Sequence, residues 1–143
     1  MRHSVYGRNF SRTSDEKKRL FTGLVRSLLL SGSIVTTIAK AKAVQPMVEK
    51  LVTRAKLGKQ SDLRRVLRVI PDRVIAKRLM EDAKTRFAGR TSGYTRIIKL
   101  GKREGDATEM VQFSFVDARV VTEIIAPKKE AVKKTVKKSV KKT

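Results

Sequence analysis

The sequence predicts an α+β domain: several helices packed against a small two- to three-stranded sheet, with a basic N-terminal arm and a disordered Lys-rich C-terminal tail. Three observations predict it. Apolar residues recur at helical spacing in three separate stretches before residue 90. Residues 95–100 and 110–116 are then β-favouring, and in the second Val111, Phe113 and Phe115 alternate with Met110, Gln112 and Ser114. Both ends of the chain carry far more Lys and Arg than acid. The 143 residues divide accordingly into an arm at 1–12, a core at 13–117, an extension at 118–126 and a tail at 127–143.

Taken in order, the arm has Arg2, His3, Gly7, Arg8 and Arg12, no acid and no periodicity. Such a segment is expected to order against a polyanion, its guanidinium groups forking onto phosphates. Thr13 and Glu16 form a capping box, and Asp15 and Glu16 suit the positive end of a helix dipole. Leu20, Phe21, Leu24, Val25 and Leu28 make the core stripe of that helix, and Ser31-Gly32-Ser33 stops it. Ile34 to Thr37 is β-branched, a short strand or an extended linker, and Thr36 or Thr37 can cap the next helix. That helix buries Ile38, Ala41, Val44, Val48, Leu51, Val52 and Ala55, should bend or break at Pro46, and ends at Gly58.

A segment from Ser61 carries Arg64, Arg65 and Arg68 close together, and Pro71-Asp72 suits the first turn of a further helix. Its expected stripe is Val74, Ile75, Leu79, Met80, Ala83 and Phe87, ending at Gly89. Gly89 and Gly93 bracket a polar loop with Arg90 inside it, Tyr94 at its exit, and Arg96 and Lys99 on opposite faces of the strand that follows. Cations and an aromatic at such a turn suit phosphate and a sugar or base face. The charged stretch 101–109 is long for a hairpin loop and matches no calcium loop. Neither glycine loop ends in the Gly-Lys-Ser/Thr of a phosphate-binding loop. After Pro127 the lysines come in pairs separated by valines, a low-complexity pattern that adds phosphate affinity without sequence preference.

Composition narrows the chemistry. The net charge is +22, from 35 Lys and Arg against 13 Asp and Glu, which makes a polyanionic partner the natural reading. There is no Cys, and His3 is the only His, which excludes a Cys/His zinc site, a disulfide framework and a Cys- or His-based nucleophile system. No cofactor, metal or small-molecule substrate is expected. No apolar run reaches the ~20 residues of a membrane span, and Met1-Arg2-His3-Ser4 does not open a signal peptide, so the protein is expected to stay where it is made.

Met1-Arg2-His3, Gly7-Arg8, Thr36-Thr37 with Ala39-Lys40-Ala41-Lys42, Pro46, Gly93-Tyr94-Thr95-Arg96-Ile97 and Gly105-Asp106 occur in this order. Over residues 1–117 the chain therefore resembles the bacterial-type large-subunit ribosomal protein seventeen family. The resemblance implies helices on a small sheet, and a structural, non-enzymatic constituent of the large subunit. It also implies binding to folded ribosomal RNA near the peptide exit tunnel, with neighbouring ribosomal proteins as further partners and a cytoplasmic location on the ribosome. Carried over to this sequence, the family positions are Arg2, His3, Gly7, Arg8, Lys40, Lys42, Tyr94 and Arg96. Arg12, Arg90 and Lys99 join them as cations of the arm and of the turn. Ser4-Val5 stands where the family usually has more basic residues, and the chain beyond Ala118 exceeds the family core. The second reading, suggested by the lysine tail, is an architectural DNA-binding protein. An RNA-processing enzyme would need a metal cluster or a general base, and neither is visible.

Overall fold

A computed structural model describes residues 7–117. Arg2 and His3, the extension at 118–126 and the Lys-rich tail lie outside the described residues. The order of elements is α1 (Ser14–Ser31), β1 (Ser33–Thr37), α2 (Ile38–Leu57), α3 (Gln60–Val69), α4 (Arg73–Arg86), β2 (Thr95–Lys102) and β3 (Glu109–Phe115). The sheet is antiparallel with β3 in the middle, in the order β1-β3-β2, and the helices cover one of its faces. The expected α+β class is what the chain adopts.

Local chemistry explains most boundaries. The Thr13 backbone N–H donates to the Glu16 carboxylate at 2.9 Å, and the Glu16 N–H donates to the Thr13 hydroxyl at 3.5 Å, so the capping box forms as expected. The Thr13 backbone N–H first, and the Thr13 hydroxyl second, donating at 2.9 Å, hold the Glu16 carboxyl below the usual carboxylate range. Helix α1 ends on Gly32, whose φ of 74° suits a residue without Cβ, and its N–H closes onto the Leu28 carbonyl. Helix α4 starts at Asp72, which accepts from the N–H groups of Val74 and Ile75.

Of the two outcomes open at Pro46, a bend or a break, the break does not occur: α2 runs through as one element, with Ala41 and Val44 before the proline and Val48, Leu51, Val52 and Ala55 after it buried on one stripe. Two other expectations change. Thr37 stands at its N-cap but makes no side-chain capping bond, and Thr36 is buried. The helix leaves directly from β1, whose residues Thr36 and Thr37 are held in register with Val111 and Met110. Val74, expected in the core, is 64% exposed, and Ala76 takes the inward position beside Ile75, Leu79 and Ala83.

The core lies between the helices and the inner face of the sheet. Val111 and Phe113 are fully buried and Phe115 nearly so, as their alternation predicts. Phe87 stacks edge-on against Tyr94 at 5.1 Å and lies 5.8 Å from Phe115, closing the core at the end where β2 begins. The outer face presents Val35, Ile98 and Leu100, and the register shift between Lys99 and Gly101 leaves Leu100 unpaired across the ladder. Because β2 and β3 extend further than expected, their connection shrinks to residues 103–108. Inside it Arg103 donates twice to Asp106, at 3.1 and 2.5 Å, and Thr108 N–H adds a third bond. Together these hold the Asp106 carboxyl far below the usual carboxylate range, the Arg103 bonds contributing most.

Candidate nucleic-acid interface

The arm enters the domain through a tight turn. Phe10 and Ser11 have φ of 54° and 50°, and the Arg12 N–H donates to the Asn9 carbonyl at 3.2 Å. Two consecutive non-glycine residues in the left-handed region are strained, so something must hold them. The Phe10 ring supplies part of that hold by meeting Phe21 of α1 edge-on at 6.0 Å. The turn fixes where the arm leaves the helices.

Just beyond it lies an open concavity of about 500 Å³, walled by Arg8 of the arm, Lys17 and Phe21 of α1, and Lys42, Ala43 and Pro46 of α2. Its layout follows from helical spacing. Lys17 and Phe21 are four apart on α1, and Lys42 and Pro46 are four apart on α2, so each helix sets a cation one turn from an apolar group on the same face. Arg8, Lys17 and Lys42 form no ion pair with a described carboxylate. The carboxylates that do pair do so elsewhere: Asp15 with Lys18, Asp62 with Arg65, Asp72 with Arg26, Asp82 with Arg86, Asp106 with Arg103 and Asp117 with Arg90. The concavity is a cationic rim around an apolar floor.

The 89–101 stretch is built differently from its reading in sequence. Tyr94 is 1% exposed; its ring packs on Phe87 and its hydroxyl donates to the Thr91 carbonyl at 2.9 Å. Its ring has no face open to a base, so the aromatic read as an RNA contact is a core residue that shapes the loop. Gly93, at φ 70°, makes the expected turn into β2, whereas α4 ends at Arg86 and Gly89 is not left-handed. The carboxylate of Glu49 on α2 accepts the backbone N–H of Tyr94 at 3.1 Å, that of Thr95 at 3.0 Å, and the Thr95 hydroxyl at 2.6 Å. Lys56 donates to the carbonyls of Ala88 and Arg90. The loop is thus pinned by hydrogen bonds to α2.

Of the expected contact residues, Arg8 and Lys42 share the concavity with Gly7 at its edge. Arg12 is exposed and lies near Glu16, where its charge helps to lower that carboxyl's pKa. Lys40 is half-buried in the first turn of α2. Arg96 and Lys99 are exposed on β2, with Arg96 in register with Ser114 and Lys99 with Val111. Arg90 is partly committed, its Nε donating to Asp117 at 3.1 Å. Sequence reasoning missed Lys17 and Phe21 as walls of the concavity, although their i, i+4 spacing was in view. It also missed Glu49, whose partners lie more than forty residues away and leave no local signal. Among the described residues no group of His, Cys, Asp or Glu could hold a metal ion, and no helix is long and apolar enough to cross a membrane.

Known proteins give this geometry a context. A family model described as ribosomal protein L17 matches residues 20–116. The large ribosomal subunit protein bL17 of Hydrogenobaculum sp. is 43% identical over 118 residues, which cover 82% of this chain and all of that protein. The protein of the same name from Thermodesulfovibrio yellowstonii is 43% identical, over 82% of this chain and 88% of its own length. That from Mesorhizobium japonicum is 45% identical over 82% of each.

Proposed function

Because the chain belongs to the ribosomal protein L17 family, we propose that it is a structural, non-catalytic constituent of the large ribosomal subunit, located on cytoplasmic ribosomes, that binds and stabilises folded ribosomal RNA near the peptide exit tunnel. The observation that carries this reading is the concavity where the arm, α1 and α2 meet, with Arg8, Lys17 and Lys42 unpaired by any described carboxylate. Cations drawn from three segments match the phosphates of RNA strands that approach one another, where each neutralised phosphate releases a counterion. Shape and phosphate spacing govern such binding more than base sequence does. Arg12, Lys40, Arg90, Arg96, Lys99 and, outside the described residues, Arg2 and His3 are the further RNA contacts of this reading, with Gly7 and Tyr94 as shaping positions. Neighbouring large-subunit proteins complete its surroundings.

The lysine tail favours a second reading, an architectural DNA-binding protein. Competition separates the two. The full chain, bound to labelled protein-free large-subunit RNA at physiological salt, should be displaced by that RNA at least about ten-fold more readily than by duplex DNA of equal phosphate content. Equal displacement would favour the architectural reading.

A further inference from the structure

Resting on the RNA-binding reading, we infer that the concavity between the arm, α1 and α2 is a receptor for one unstacked nucleotide of the RNA, its base on the apolar floor and its flanking phosphates on the rim. The observations divide the site into two chemistries. Phe21, Ala43 and Pro46 offer an aromatic ring and aliphatic surface, while Arg8, Lys17 and Lys42 bring three cations to the same space. A duplex backbone would use the rim and leave the floor in water. An apolar protein side chain would use the floor and face three cations. A nucleotide swung out of its stack uses both, because unstacked bases lie on aromatic rings and their phosphates attract Arg and Lys.

Size agrees. The volume of about 500 Å³ falls within the ~300–1,000 Å³ of small-molecule sites. Pro46 adds a rigid aliphatic ring to the wall one helical turn after Lys42. The strained turn at Phe10–Ser11 also gains a purpose, since through Phe10 on Phe21 it sets the arm beside the floor.

The test uses the full chain on protein-free large-subunit RNA, with base-specific chemical probing of unpaired nucleotides alongside hydroxyl-radical probing of the backbone. The wild type should protect the base of an unpaired nucleotide inside its backbone footprint. Phe21→Leu keeps an apolar residue on α1 but removes the ring. It should return that base to the reactivity of free RNA and weaken binding roughly ten-fold, leaving the part of the backbone footprint made by the helices in place. Ala43→Phe fills the floor from the half-exposed side of α2, leaves the core and the cations alone, and should expose the same base. Unchanged base protection in both variants, or a wild-type footprint confined to the backbone, overturns the nucleotide receptor while leaving RNA binding intact. A wild type with no footprint at all overturns the RNA-binding reading and the receptor with it.

Discussion

Replacing Arg8, Lys17 and Lys42 together with Gln is expected to weaken binding to large-subunit RNA roughly a hundred-fold at physiological salt and to lower the slope of log affinity against log salt by about two to three. The three contributions add. Each phosphate neutralised by one of these cations contributes about 0.7 to 0.9 to the slope, and three contacts are removed. Melting temperature should stay within about 2 °C of wild type, because Arg8 and Lys42 are exposed, Lys17 is half-buried, and no described carboxylate depends on them. Filter binding across a salt series, paired with calorimetry, checks both halves. An unchanged slope would mean that the rim does not touch phosphate.

Glu49→Leu is expected to destabilise the fold by about 3 kcal/mol, lowering the melting temperature by roughly 15 °C. Leu fits the space but accepts nothing. It would strip one charge-assisted acceptor set from the Tyr94 N–H, the Thr95 N–H and the Thr95 hydroxyl at once, on residues that are themselves buried. Glu49→Gln retains one acceptor oxygen, turns the other into a donor, and should cost about half as much. Amide hydrogen exchange localises the effect: protection should fall first at Tyr94 and Thr95, and only later in α1. A loss under about 1 kcal/mol for the Leu variant would show that water replaces the carboxylate there.

The two variants separate what the sequence disclosed from what it hid. The Thr13/Glu16 box, the Leu20-to-Leu28 stripe and the Val111-Phe113-Phe115 alternation are local patterns, and each became the element it implied. The β-branched run at Ile34 left strand and linker equally open, because its pairing partner sits in β3, about eighty residues on. Tyr94 beside Gly93 and Arg96 looked like a surface aromatic. It turned inward because Phe87 and Phe115 meet there and Glu49 holds its backbone. Val74 obeyed helical spacing yet lies at the edge of the stripe, where the neighbouring Ala76 fits the closer approach. The cationic character of the concavity could be read from composition, and Arg8 and Lys42 from the resemblance. Its apolar floor could not, since Phe21 looks like one more core residue until α2 and the arm are set beside it.

Sedimentation of the tagged full chain from a lysate, through a gradient after a moderately high-salt wash, tests its place on the large subunit. Recovery in stoichiometric amount with the large ribosomal subunit is expected, with depletion from that fraction for the Arg8, Lys17 and Lys42 triple variant. Release of the wild type from ribosomes, with retention on DNA, would contradict it.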